Sequence, residues 1–239
     1  MPTGDDAAIA AAVVIAVRGG DVDALRGLLA ERPAIATGRV NGRTALHVAT
    51  DWPGYFPNGP AIVRLLVAAG ADPNARTEGQ APETPLHWAA SSDDVDVADA
   101  LIDAGADLEA DGGSIGTPLD NAIGYGCWHV ARRLVECGAR VDKLWHAAAL
   151  GLLTRMEELA AGADPAQLNQ AFWHACQGGQ RRAADYLLRH GADINTTVGY
   201  AHGTALDVAP GPDTRRDLLS SWLRDQGART AETTTDRPL

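Results

Sequence analysis

A short phrase recurs along the chain and limits the fold more than any single residue does: Thr44-Ala-Leu-His-Val-Ala49, Thr84-Pro-Leu-His-Trp-Ala-Ala90, Thr117-Pro-Leu-Asp-Asn-Ala122 and Thr204-Ala-Leu-Asp-Val-Ala209. A second phrase follows at a regular distance: Gly70-Ala-Asp-Pro-Asn-Ala75, Gly105-Ala-Asp-Leu-Glu-Ala110, Gly138-Ala-Arg-Val141, Gly162-Ala-Asp-Pro165, Gly191-Ala-Asp-Ile-Asn195 and Gly227-Ala228. Between the phrases, apolar residues fall at helical spacing, as in Ile62, Val63, Leu65, Leu66 and Val97, Ala98, Leu101, Ile102. Each period therefore holds two short helices. A unit this small cannot bury its apolar side alone, so neighbours must stack.

The letters of the phrases have local reasons. Thr at the head of Thr-Pro-Leu-His caps the first helix, and Pro takes an early helical position where its missing N–H costs nothing. The paired alanines let helices approach closely, and the Gly of Gly-Ala-Asp supplies the left-handed residue that stops the second helix. These motifs resemble the ankyrin repeat, over nearly the whole chain and in about seven units. The resemblance implies an all-α ankyrin-repeat solenoid of helix-turn-helix units with short hairpin fingers, forming a single domain over residues 1–228. A degenerate first unit is expected at about 5–40 and the last at about 204–228. Residues 229–239 carry almost no apolar side chains and read as a flexible tail.

Composition narrows the class of partner. The formal net charge is −11, from 31 acidic against 20 basic residues, and Lys143 is the only lysine. With no sustained basic run to displace counterions, the chain is not expected to bind nucleic acid or an anionic membrane surface. Cys127, Cys137 and Cys176 lack the spacing of a disulfide framework or a zinc module, so they read as buried free thiols. The acidic start and the short apolar run Ala7 to Val17 are unlike a signal peptide or a membrane span, which points to the cytoplasm. Arginine and alanine in place of lysine and isoleucine fit a GC-rich, bacterial-type coding sequence. Six tryptophans against two phenylalanines invert the usual proportion and call for a location.

Function is sought where the repeat is broken. Between Ala49 and the next helix lies Thr50-Asp-Trp-Pro-Gly-Tyr-Phe-Pro-Asn-Gly-Pro60, in place of a tight turn. It is stiff and aromatic, either tucked onto its own repeats or set as a lid or rim over the concave side. Farther on, the fingers shorten: after Gly138 a helix is expected within a few residues, and after Gly162 within about eight. There the motif changes to Leu144-Trp-His-Ala-Ala-Ala149 and Phe172-Trp-His-Ala-Cys176. Aligned on Gly151 and Gly179, Trp145 and Trp173 take the usual His slot, and His146 and His174 take the next one, shared with Val48, Trp88, Asn121 and Val208.

By the resemblance, that next slot and the residues just after the alanines face the concave surface. The implied binding residues are Trp88, Ser91, Asn121, Tyr125, Trp145, Leu150, Trp173 and Gln177, with Trp52 from the insertion. Ser92 lies beside them. His146 and His174, with Asp120 nearby, are the candidates for general acid–base chemistry. His47 and His87 occupy the ordinary slot, where the imidazole bonds loop backbone. His190 complements a helix C-terminus, while His129 and His202 have no assigned role. Asp93, Asp94, Asp96 and Asp99 read as helix-dipole complement rather than a calcium site, and Asp111-Gly-Gly-Ser-Ile-Gly116 reads as a finger rather than a phosphate cradle. No metal or cofactor is expected. The reading is a module that binds a protein partner through a concave aromatic groove. The alternative is a small-molecule or catalytic pocket using His146 and His174, lidded by residues 50–60.

Overall fold

The computed structural model describes residues 4–231. Backbone contacts divide the chain into a unit ending at Ala139 and a unit beginning at Arg140. The first unit stacks four helical pairs: α1 (Gly4–Gly19) with α2 (Val22–Glu31), α3 (Ala45–Ala49) with α4 (Gly59–Ala68), α5 (Pro85–Ser91) with α6 (Val95–Asp103), and α7 (Pro118–Gly124) with α8 (Trp128–Glu136). A two-residue hairpin, β1 (Arg39–Val40) against β2 (Arg43–Thr44), forms one finger. The second unit holds α9 (Leu144–Leu150) with α10 (Leu153–Ala160), α11 (Pro165–Gln177) with α12 (Arg181–Arg189), and α13 (Ala205–Val208) with α14 (Thr214–Asp225).

Apolar burial follows the helical periodicity. Leu46, Ile62, Leu66, Leu86, Leu101, Leu119 and Leu134 are fully buried in the first unit, with Ala89, Ala90, Ala98 and Ala122 at the close helix contacts. In the second unit Phe172, Met156, Leu187, Leu219 and Leu223 form the centre. Each such side chain contributes about 1.5–3 kcal/mol by leaving water.

Polar ties set the spacing of the pairs. The Thr44 N–H donates to His47 Nδ1 at 3.3 Å, and His47 Nε2 meets the carbonyl of Glu83, next to Thr84 of the following pair, at 3.0 Å. The motif repeats at Thr84 and His87, whose Nε2 meets the carbonyl of Gly116 at 2.9 Å. An Nδ1 that accepts and an Nε2 that donates require the neutral Nε2–H imidazole. Burial enforces that form: His47 is held at a pKa of about 4 and His87 is also lowered, in both cases chiefly by desolvation. In the second unit Trp173 sits in the same slot and does the same work, its indole Nε1–H donating to the carbonyl of Gly203 at 3.2 Å. Asp120 and Asp207, also in this slot, instead accept from Thr117 and Thr204 N–H at 2.7 Å each.

The phrase Gly-Ala-Asp-Pro has two outcomes. At Asp72 the carboxylate accepts from Asn74 N–H at 2.8 Å and closes a turn. At Asp164 it accepts from Gln167 N–H at 2.8 Å, and Gln167 Oε1 accepts from Asp164 N–H at 3.0 Å. That reciprocal cap starts α11 at Pro165, three residues after Gly162 and so inside the expected span of about eight, because Gln167 can bond back where Ala75 cannot. At the other end, Arg229 N–H donates to Asn195 Oδ1 at 2.8 Å and Ala231 N–H to Asp207 Oδ2 at 2.9 Å. The flexible tail expected from Arg229 is thus tied to the last pair through Ala231, and residues 232–239 lie outside the described residues. None of the described helices is long and apolar enough to cross a membrane.

Two outcomes follow for stability. Trp173→Phe keeps the ring but loses the bond to Gly203, and should lower unfolding free energy by about 1–2 kcal/mol. Trp173→His restores a donor and should recover part of that loss in urea titrations. The neutral imidazoles also make stability fall with acid: His47 protonates near 6.5 when unfolded but near 4 when folded, so the loss begins below pH 6.5 and levels off below pH 4. The His47 share is on the order of 3 kcal/mol. Urea midpoints measured from pH 7.5 to 4 should fall less steeply in His47→Asn.

Candidate functional site

The insertion is held from both sides. Asn58 Nδ2 donates to the Gly20 carbonyl at 2.9 Å, and a Cβ at Gly20, whose φ is +66°, would sit 2.0 Å from the Pro57 carbonyl oxygen. Toward the next pair, Tyr55 N–H donates to Asp94 Oδ2 at 2.5 Å, its hydroxyl donates to the Asp93 carbonyl, and Ser92 Oγ donates to the Thr50 carbonyl at 3.3 Å. Gly54, with φ +76°, packs so closely on Ser92 that an added Cβ would lie 2.9 Å from the serine Cβ. Arg18 and Arg43 pair with Asp51, and Arg18 lies over the Phe56 ring. The segment is a fixed rim, and it leaves Trp52 77% exposed.

Under that rim the first unit has a groove of about 480 Å³, lined by Asp51, Trp52, Glu83, Trp88, Ser91, Ser92 and Tyr125. Four of the expected binding residues, Trp52, Trp88, Ser91 and Tyr125, therefore come together. Trp88 is wedged between the edge of His47, at 5.2 Å, and the Arg43 guanidinium, at 5.6 Å. Tyr125 is exposed. Asn121 does not line the groove: it is fully buried, and its Nδ2 donates to Glu83 Oε1 at 3.0 Å. Ser114 adds its N–H at 3.0 Å and its hydroxyl at 2.9 Å to the same oxygen. These hydrogen bonds outweigh the partial burial of Glu83 and hold its carboxyl below the usual range. The repeat pattern does not single out either carboxylate of the groove, Asp51 or Glu83. Glu83 had one usable signal, its place immediately before Thr84, the position whose carbonyl receives the preceding histidine.

The second unit presents a different arrangement. His146 and His174 are 1% and 2% exposed, and the Trp145 indole lies against both, with ring centroids 4.3 and 4.6 Å away. The two histidines thus enclose a tryptophan in place of a ligand. Tyr200, exposed on a finger, stacks on the far side of His174 at 6.0 Å. Its hydroxyl accepts from Gln170 Nε2 at 2.9 Å and donates to His174 Nε2 at 2.7 Å, while His174 Nδ1–H donates to Gln177 Oε1 at 2.9 Å. Both nitrogens of His174 are engaged, and burial holds its pKa at about 4, leaving it neutral and inaccessible as an acid or base. His146 Nδ1 lies 3.9 Å from Asp142. Tyr200 carried no sequence signal beyond its place in a finger.

Other expected residues serve packing and capping. Trp173 is 4% exposed and committed to Gly203, and Leu150 is buried. Asp120 belongs to the cap of α7, and its carboxylate is spent on Thr117. Asp94 caps α6 through Val97 N–H at 3.2 Å, and Asp93 caps α8 through the N–H groups of His129 and Val130 at 3.0 and 2.9 Å. His129, assigned no role from sequence, pairs with Asp93 at 2.7 Å. His190 Nδ1 bonds the Tyr186 carbonyl at 2.7 Å at the end of α12. Cys127 and Cys176 are buried, and burial pushes the Cys127 thiol up to about 11 and the Cys176 thiol higher still.

Residues 54–143 match the family model for ankyrin repeats in three copies. The chain is 30% identical over 246 residues to ankyrin repeat and SOCS box protein 16 of Homo sapiens, covering 92% of this chain and 52% of that protein. It is 29% identical over 174 residues to the B-cell lymphoma 3 protein homolog of Mus musculus, covering 71% of this chain and 33% of that one. The chain thus spans about a third to a half of the length of these two relatives. Among solved structures, the human ASB11 ankyrin repeat domain superposes with a TM-score of 0.55 at 19% identity, over 87% of this chain and 95% of that domain. Residues 54–143 thus match the ankyrin-repeat model, and the chain has the ankyrin-repeat fold.

Proposed function

We propose that this protein is a recognition module whose first unit grips a segment of a protein partner in the groove between Trp52, Trp88 and Tyr125. Ankyrin repeats generally mediate protein–protein interaction, and a fold alone does not choose the surface that does so. The observation that carries the choice is Trp52. A large aromatic side chain left 77% exposed on a segment fixed to the repeats on both sides has lost its loop entropy before binding. Such residues supply a disproportionate share of interface energy. The acid–base alternative at His146 and His174 has no comparable support, since those rings are buried against Trp145.

The test uses the native chain and Trp52→Ala as baits, with captured proteins quantified by mass spectrometry and the main one re-measured by calorimetry. Because Trp52 makes little internal packing, its removal should leave the melting temperature within about 2 °C. It should weaken the partner at least about tenfold. Equal capture and equal affinity by Trp52→Ala would remove the groove from the reading.

A further inference from the structure

We infer that the groove of the first unit reads an arginine side chain, with Glu83 as its counter-ion; this rests on the groove being the recognition surface. The chain's charge is divided unequally. Residues 1–139 carry nineteen acidic against nine basic residues, whereas residues 140–239 carry twelve against eleven. Nearly all the net negative charge therefore lies on the unit that holds the groove.

Within the groove the two carboxylates are in different states. Asp51 is already neutralised by Arg18 and Arg43. Glu83 is held by neutral donors only, all on Oε1: the Ser114 N–H, the Ser114 hydroxyl and Asn121 Nδ2. Among the described residues no cation pairs with Glu83, and its Oε2 receives no hydrogen bond. Its backbone is locked as well, since the Glu83 N–H donates to Thr77 Oγ1 at 3.0 Å and its carbonyl receives His47. Asn121 is turned to serve this carboxylate while its own buried Oδ1 is left without a partner among the described residues. Asn121 thus orients Glu83 Oε1 at the expense of a hydrogen bond of its own.

The walls suit a guanidinium. A planar cation stacks on indole and phenol faces and offers paired N–H donors to a carboxylate, which an ammonium does less well. The first unit already makes a similar contact internally, with Arg43 over the Trp88 ring at 5.6 Å and ion-paired with Asp51 at 3.6 Å. An incoming arginine would repeat it against the exposed Trp52 and Tyr125, with Glu83 in the role of Asp51. The occupant is an arginine-bearing segment of another protein.

The experiment titrates the full chain with a fluorescein-labelled (Gly-Arg)6 peptide and with its neutral citrulline counterpart, read by fluorescence anisotropy. The arginine peptide should bind at least tenfold tighter. Glu83→Gln, which retains an oxygen for Ser114 and Asn121, should remove most of that difference, whereas Glu31→Gln, on the exposed end of α2, should leave it intact. Equal losses in both variants would reduce the effect to bulk charge and overturn the inference, as would absence of binding by the native chain. Should Glu83→Gln melt well below the native chain, Ser91→Arg decides: an internal guanidinium in the groove should abolish binding, and unchanged binding refutes the site. Trp52→Ala separates the two levels of reading. If it weakens the peptide and Glu83→Gln does not, the groove stands and the arginine assignment falls; if neither does, both fall. Concentration-dependent self-association of the native chain that is lost in Glu83→Gln would overturn the assignment in favour of a second copy, whose α12 offers Arg181 and Arg182.

Discussion

A ring N–H reaching from one helical pair to a backbone carbonyl of the next sets the spacing within each unit. Apolar burial alone would allow the pairs to slide, because leucine and alanine surfaces are non-directional. His47 to Glu83 and His87 to Gly116 remove that freedom in the first unit, and Trp173 to Gly203 does so in the second. The histidine version has a requirement that tryptophan lacks. Its Nδ1 must accept from a threonine N–H while its Nε2 donates, so the ring works only when neutral. The surrounding core both needs that neutral form and, by excluding water, enforces it.

The same tie prepares the groove. The carbonyl that receives His47 belongs to Glu83, so the bond that registers two pairs also fixes the backbone of the residue that carries the groove's unpaired charge. Asn121 and Ser114 then set its side chain. On the opposite wall, the insertion adds aromatic surface without adding mobility, because Gly20, Asp93 and Asp94 hold it from both sides. Pre-ordering of this kind lowers the entropic cost of binding.

Parts of this arrangement were legible in the letters. The Thr-x-Leu-His phrase, the paired alanines and Gly-Ala-Asp have local causes, namely caps, close approach and left-handed stops, and the helices formed where those causes placed them. Trp52, Trp88, Ser91 and Tyr125 were legible because an insertion and a repeat slot mark them. Asn121 was read in the right place with the wrong role, since the same slot points outward with Trp88 and inward with a short amide that has a carboxylate above it. Asp120, His146 and His174 were read as chemistry because their residue types allow it. Their burial, and the ring of Trp145 between the histidines, reflect packing that slot positions do not encode.

Periodicity and capping, which act over a few residues, decided the helical pairs and their stacking, and charge counting showed the chain to be acidic as a whole. Which polar groups pair was decided only in three dimensions, because the partners lie about one repeat apart: Glu83 with Ser114 and Asn121, His174 with Tyr200, Asp93 with His129. A hydrogen bond depends on tenths of an ångström, and a repeat phrase specifies a slot rather than a distance. The sequence therefore marks slots, and the packed structure determines which polar groups pair and which, like Glu83, are left without a counter-ion among the described residues.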